Sequence, residues 1–492
     1  MSTIHDQAMN YVYQQVLQRL LSFFSRAERT ALQLLIQRLV VAAGGTERIG
    51  DFKVLVIQSG TRDSCYALAL LRAAQLSIAG RAPGTFQLRV ANLRGAGTAT
   101  TALHNMHRSY SALFLYDDPR VELLMVDHRE VLSFNHLAAF SDEGNEASRL
   151  NLLTMGHRRN WDEKLELWDH TYLATAEFYG QIARWNNGVD ALLGSEGPRR
   201  QNAFLQGLDR ATQKAGLGAL RSHNGGFEEL FVLLDGLGGD CFRMFYPEAD
   251  LAPWRPAGQF EACRRSTCID IHDIVAGDLK ERWPLLSDFL GFQAQEFAQD
   301  LTDSELADPL IAGHLCGLQA SLIEGRTYQA GVSDYLQRSV DELRRNLVPE
   351  PVCERLLTTF GYLRDFDELR LRAAAALQAG YGVSETQLTC LIHAPFIDGG
   401  AGLERFLRSC HPGMLVALPD LHRAMQGLHA PDQVLHWMTD VSGLPVKLIT
   451  RLYGMGPVRI RHEPDALSLG EASDDGEFDN AGAAPGDRSA EG

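Results

Sequence analysis

The sequence predicts an α/β protein: a doubly wound, mostly parallel sheet, with an N-terminal helical hairpin before it and a C-terminal all-α domain after it. Short apolar runs rich in β-branched residues alternate with helical patterns through the first half of the chain. Helical periodicity alone fills residues 5–43 and most of 276–455. Residues 141–185 are expected to be polar and irregular at first and then helical. Strands separated by helices favour parallel pairing, because each crossover places a helix on a sheet face.

These patterns divide the 492 residues into four predicted segments. They are an N-terminal helical segment 1–46, an α/β domain 47–250, a predominantly helical domain 251–460 and a disordered acidic tail 461–492. Ser25 and Glu28 have the spacing of a helix cap, which separates the two N-terminal helices. The tail is rich in small and acidic residues and poor in large apolar ones, so we expect disorder there.

Composition narrows the classes of function. The net charge of −16 argues against nonspecific binding to nucleic-acid backbones. No apolar run is long enough to span a membrane, and the N-terminus lacks the pattern of a Sec-type signal. The eight cysteines form no CxxC pair. We therefore expect a reduced, cytoplasmic protein with no membrane partner, although bacterial export without a cleavable signal stays open.

The most informative stretch is the apolar run 54–57, the polar turn 59–64 and the helical stripe that follows. A strand, a tight turn and a helix form the first half of an α/β unit, and ligands bind at that turn in such folds. Backbone N–H groups at the helix N-terminus, serine and threonine hydroxyls and Arg62 make a reasonable anion cradle. The alternative is a plain strand-turn-helix with a polar cap.

The hexamer Ser-Gly-Thr-Arg-Asp-Ser at 59–64 also resembles the SGGxDS signature of PP-loop ATP pyrophosphatases, whose fold is of the HUP type. In that family the loop holds ATP phosphates while a substrate is adenylated and pyrophosphate leaves. One departure is Thr61, which stands where the family has its second glycine. A Cβ there could block close approach of the backbone to a phosphate or demand a different φ.

The resemblance implies a role for each residue of the loop. Phosphate binding falls to Ser59, Gly60, Thr61 and Ser64. Asp63 would lie near Mg²⁺, and Arg62 would balance phosphate charge during catalysis. A later turn, GLGGD at 236–240 after the apolar run 231–234, resembles the turn of asparagine-synthetase-like members. There Gly238 and Gly239 would approach the nucleotide, and Asp240 would help to hold Mg²⁺.

Two further loops fit the resemblance less closely. The strand 121–126 ends in Asp127-His128, which is similar to a VDH-like sequence in PP-loop enzymes that modify tRNA. A surface histidine and a helix-capping aspartate are the alternative. The strand 189–193 ends in a Gly-containing loop with Glu196, Arg199 and Arg200. These arginines could meet phosphate or be solvated. The resemblance covers at most residues 50–245.

Two other segments of the sequence could form a metal site or a reactive thiol. The segment 263–272 holds two cysteines, an aspartate and a histidine, but its spacing matches no standard zinc pattern, so we favour structural roles. Cys65 follows the loop at the start of a helix, where a dipole could activate a thiol. A buried structural cysteine is the favoured interpretation.

Two functional hypotheses remain. The first is an ATP-binding, Mg²⁺-using PP-loop-like protein that adenylates a small-molecule, tRNA or protein substrate and releases pyrophosphate. The second is a catalytically inactive α/β-plus-helical protein that acts through protein–protein interaction, with the helical domain binding the partner.

Overall fold

The computed structural model describes residues 2–458 except 129, 164, 166, 217–265, 276–278, 294–308, 346–349, 351–353, 355, 359 and 361–365. The strand expected at 231–234, the glycines 238 and 239, Asp240 and the tail 461–492 all lie outside the described residues.

The described residues form a sheet of six strands in the order β4-β3-β2-β1-β5-β6. The strands are β1 Lys53–Ile57, β2 Gln87–Arg94, β3 Val121–Asp127, β4 Glu130–Ser133, β5 Ala191–Gly194 and β6 Thr267–Asp270. All neighbours pair in parallel except β3 and β4. The prediction of an α/β protein with a mostly parallel sheet is therefore confirmed.

Seven helices accompany the first five strands. They are α1 Ser2–Phe23, α2 Arg26–Ala42, α3 Arg62–Ala79, α4 Thr100–Ala112, α5 Asp142–His157, α6 Asp169–Arg184 and α7 Pro198–Lys214. The expected cap at the start of α2 is present: the Ser25 hydroxyl accepts from the Glu28 N–H, and the Glu28 carboxylate accepts from the Ser25 N–H.

Alternate residues of the central strand point to opposite faces, as the period of a strand requires. Val54 and Val56 are buried against a layer that includes α1–α4. Leu55 is buried on the other face with Phe178 and Ile182 of α6. Both faces of the sheet are thus covered, which is why β1 reads as a continuous apolar run.

Most of the residues described after β6 are helical. Its helices are α8 His272–Val275, α9 Leu279–Pro284, α10 Pro309–Leu322, α11 Tyr328–Arg345, α12 Phe366–Tyr381, α13 Glu385–His393, α14 Leu403–Cys410, α15 Leu418–Met425, α16 Asp432–Ser442 and α17 Val446–Tyr453. Several of them share one apolar core with α5, α6 and α7.

Three elements differ from expectation. The short antiparallel strand β4 was not predicted, and β6 lies in a segment that we assigned to the helical domain. Residues 142–157 form the regular helix α5, although we expected an irregular segment there. The domain boundaries themselves stay predictions. None of the helices within the described ranges has the length and apolarity needed to cross a bilayer.

A buried ion pair joins α6 to α7. The carboxylate of Asp169, at the first residue of α6, contacts the Lys214 ammonium at the end of α7, and both side chains are 1% exposed. Arg210, one turn before Lys214, also contacts the carboxylate at 3.2 Å. Two charges removed from water depend on each other, so loss of one partner leaves a costly buried charge.

We expect Lys214→Met to lower the free energy of unfolding by about 3 kcal/mol, because Asp169 loses its most deeply buried partner. Urea denaturation measures this change. The control is Arg326→Met, which removes one side of the exposed pairs with Glu324 and Asp334 and should change the free energy of unfolding far less, because water screens these charges. Equal losses in the two variants would contradict a special role for the buried pair.

Candidate functional site

A cavity of about 560 Å³ lies at the carboxyl edge of the parallel strands. The ends of β1, β2, β3 and β5 contribute to its floor. The strand order reverses between β1 and β5, because β2 and β3 lie on one side of β1 and β5 lies on the other. In open α/β sheets this switch point is where a crevice forms and ligands bind.

The loop after β1 turns at Gly60. Its φ is +73°, and a Cβ at this position would overlap the Ala102 carbonyl of α4. Glycine is therefore required here for both conformation and space. Thr61 has an ordinary extended φ of −78°, and its hydroxyl caps α3 by accepting from the Ser64 N–H. The threonine in place of the second glycine thus causes no backbone strain.

The hydroxyls of this loop form one network. Ser59 Oγ lies 2.9 Å from Thr61 Oγ1, which lies 3.1 Å from Ser64 Oγ. The buried Gln58 side chain closes the network, since its amide nitrogen donates to the Ser64 carbonyl and its oxygen lies 3.0 Å from Ser64 Oγ. All four residues line the cavity. The predicted Ser59, Thr61 and Ser64 are brought together.

Asp63 lies at the start of α3 between two arginines, and none of these three residues is among those that line the cavity. Arg62 contacts one carboxylate oxygen at 3.4 Å and Arg200 contacts the other at 3.3 Å. Arg200 also reaches Glu196 at 3.4 Å. Asp63 and Arg200 are each 41% exposed, so these pairs are open to water and weak. The first turns of α3 and α7 are thereby linked by charge.

Two more loops reach the cavity with helix N-termini behind them. Residues 95–99 connect β2 to α4, and Ser195 and Glu196 precede α7. The prediction from the sequence included the loop before α7 but missed the loop 95–99. The sequence does indicate the loop 95–99, because Gly95-Ala96-Gly97-Thr98 follows an apolar strand, as the hexamer 59–64 does.

Helices α5, α6 and α12 form the other wall. Trp168 and Tyr381 line it with their ring centroids 4.6 Å apart. The Tyr381 hydroxyl sits so close to Gly97 that a Cβ there would overlap it. Ser148 of α5 and His170 of α6 also line this wall, with Ser148 Oγ 3.5 Å from His170 Nε2.

Asp127 and His128, at the end of β3, have different surroundings. Asp127 is buried and accepts from the N–H and the hydroxyl of Ser141, the residue that caps α5. It therefore supports a helix cap, in line with the alternative interpretation. His128 has a φ of +49° and lines the cavity.

Burial decides the hypothesis of a reactive thiol at Cys65. Cys65 is fully buried, and desolvation raises the pKa of its thiol to about 11, so it is protonated at neutral pH and is not an activated nucleophile. In the segment 263–272, Cys268 lies on β6, while Cys263 is outside the described residues. Among the residues described, no group of three or more histidine, cysteine or acidic side chains has the arrangement of a metal site.

No protein-family model, curated protein or solved structure matches the chain. The resemblance to PP-loop ATP pyrophosphatases therefore rests on the residues quoted from the sequence.

We expect Gly60→Ala to destabilise the protein more than Gly325→Ala. Gly325 has a similar φ of +68° but open space around it, so its substitution should cost only the backbone strain of about 1–2 kcal/mol. At Gly60 the overlap with Ala102 should add roughly 1–3 kcal/mol. Urea denaturation of both variants isolates the steric part, and equal costs would contradict the close approach of the loop to α4.

Proposed function

We propose that the chain binds ATP with Mg²⁺ in this cavity and uses it to adenylate a substrate with release of pyrophosphate. The observation that carries the proposal is that three loops meet at one cavity. The loops after β1, β2 and β5, each followed by a helix N-terminus, surround one cavity at the point where the strand order reverses. N–H groups in the first turn of a helix lack intrahelical partners and attract anions.

The phosphate end of the site would be the loop 58–64. Its tight turn at Gly60 and its hydroxyl network suit a chain of phosphate oxygens, which accept hydrogen bonds from hydroxyl and N–H groups. Thr61, in place of the second glycine, does not disturb the backbone of this loop, but it adds one side chain to the cavity wall. A cavity of about 560 Å³ is within the size range of ligand and cofactor sites.

Proteins usually hold Mg²⁺ through one or two carboxylates together with phosphate oxygens and water. Of the two proposed ligands, Asp63 is among the described residues and Asp240 is not. Asp63 would be the carboxylate from this loop, and Asp240 remains the second proposed ligand. Arg200 now contacts Asp63. Its transfer to a phosphate oxygen would free the carboxylate for the metal and place a positive charge beside the departing pyrophosphate.

Bound ATP supplies an activated phosphoanhydride for attack by a carbonyl, amide or nucleobase oxygen. The chain's own contribution would be to orient the phosphates and to stabilise the charge that develops on them. Arg62 and Arg200 supply positive charge, and the three helix N-termini supply oriented N–H groups. The wall of α5, α6 and α12 excludes water and positions the second substrate.

Titration with ATP and Mg²⁺ by calorimetry tests the proposal. We expect micromolar binding to the wild type and at least a tenfold weaker affinity for Asp63→Ala, because the metal loses its proposed carboxylate. Asp117→Ala is the matched control, since Asp117 is exposed and lies just before β3, at the edge of the sheet opposite the loop 59–64. Its affinity should equal that of the wild type.

Absence of nucleotide binding by folded wild-type protein would overturn the proposal. The alternative, a catalytically inactive protein with a partner on its helical part, would then be tested by partner capture. Equal weakening in Asp63→Ala and Asp117→Ala would show that binding does not depend on this loop. Location in the cytoplasm stays a prediction.

A further inference from the structure

A serine and a histidine face each other inside the cavity, apart from the phosphate loop. Ser148 lies in α5 and His170 in α6, and Ser148 Oγ is 3.5 Å from His170 Nε2. Both residues line the cavity, so a ligand there can contact them. A nucleophile within reach of a base is the arrangement that activates hydroxyl groups, and the contact is often longer when no substrate is bound.

The orientation of His170 is set by the backbone. Its Nδ1 lies 3.1 Å from the Leu167 carbonyl oxygen. Since a carbonyl can only accept, Nδ1 carries the proton and donates it, which leaves Nε2 with its lone pair toward Ser148. Burial lowers the pKa of the imidazole to about 4, with the Leu167 contact and Asp169 acting in the opposite direction. His170 is therefore neutral at pH 7.

The charged residues near His170 do not change this tautomer of its imidazole. Asp169 is held by Lys214 and Arg210 on the side of α7. Glu177, two turns further along α6, lines the same cavity. The Leu167 carbonyl thus takes the orienting position that a carboxylate takes in other nucleophile–base pairs.

We propose that Ser148 and His170 form a nucleophile–base pair that accepts an acyl group from an activated acyl donor bound in the cavity. The inference rests on the proposed function for the natural donor, which would be an acyl adenylate made at the phosphate loop. Asn151, one helical turn after Ser148, also lines the cavity and supplies an amide donor for the developing oxyanion.

Ser148 Oγ attacks the acyl carbon, and its proton passes to Nε2 of His170. The bond between the acyl carbon and the oxygen of the leaving group breaks, and the leaving group departs with the bonding electrons, as AMP from an adenylate or as p-nitrophenolate from a p-nitrophenyl ester. An ester of Ser148 results. Nε2 then releases the serine proton to the solvent. Water or an amine attacks the ester carbon, its proton passes through Nε2 to Ser148 Oγ, and the bond between the acyl carbon and Oγ breaks. The acyl group leaves as an acid or an amide, and the serine is restored.

The test uses p-nitrophenyl acetate as the probe and needs no nucleotide. We expect release of p-nitrophenolate together with a protein carrying one acetyl group, which peptide mass spectrometry places on Ser148. Ser148→Ala should abolish the adduct, and His170→Gln should slow its formation at least ~100-fold, as loss of a general base does. Ser22→Ala, at an exposed serine in α1, controls for surface acylation.

Acetylation elsewhere on the chain, absence of an adduct, or equal rates in wild type and His170→Gln would each overturn the pair. Circular dichroism verifies the fold of each variant. Calorimetry of the wild type with ATP and Mg²⁺ separates the two proposals, because the acetylation assay contains no nucleotide. A chain that is acetylated at Ser148 but does not bind ATP would refute the adenylate as donor and retain the acyl-accepting pair.

Discussion

The parallel direction of β1 and its neighbours governs where polar groups can lie in this fold. Helices cover both faces of the sheet, so a polar side chain on a central strand loses its hydrogen bonds to water, and only groups inside the protein can replace them. Arg89 of β2 finds such partners for two of its nitrogens: Nε donates to Glu122, and Nη1 donates to the carbonyls of Ile182 and Trp185. This restriction on polar groups does not apply at the carboxyl edge of the sheet. Loops there bring N–H groups and hydroxyls to one place, and the reversal of strand order opens a crevice between them.

Helix α6 connects the sheet to the helical part of the chain. One side of it packs on Leu55 and its neighbours, and its first half lines the cavity. Its start is fixed by the buried contact of Asp169 with Lys214. Because the same helix touches the sheet and the cavity wall, His170 and Trp168 are held by packing rather than by a loose loop. Rigid placement of this kind is what a reacting group needs.

The sequence was sufficient for the strand-turn-helix at 53–79, because its hydrophobic period changes abruptly across a polar turn. It was insufficient for α5, whose Gly144, Asn145 and Asn151 are weak helix formers. Burial of Leu152, Leu153 and Met155 stabilises that helix instead. The strands β4 and β6 were missed because each has only two apolar residues between polar ends, whereas the equally short β5 lies in the longer, mostly apolar run 189–193.

The candidate site was predicted only where its residues are adjacent in the chain. The loop 59–64 is continuous, so its hydroxyls could be grouped by spacing alone. Ser148 and His170 lie 22 positions apart on different helices, and no spacing rule connects them. The conformation of Thr61 was also beyond the sequence, since the positive φ could have fallen on either residue of the turn. The fold places it on Gly60 alone.

The contact of Tyr381 with Gly97 has a kinetic consequence. These residues are separated by most of the chain, so the last wall of the cavity closes only when two distant segments meet. Contacts with so large a separation in sequence have a high loop-closure entropy and form slowly. The cavity should therefore be among the last parts of the protein to form during folding. Any ligand that binds it then stabilises the completed state by mass action, and protects it from reopening.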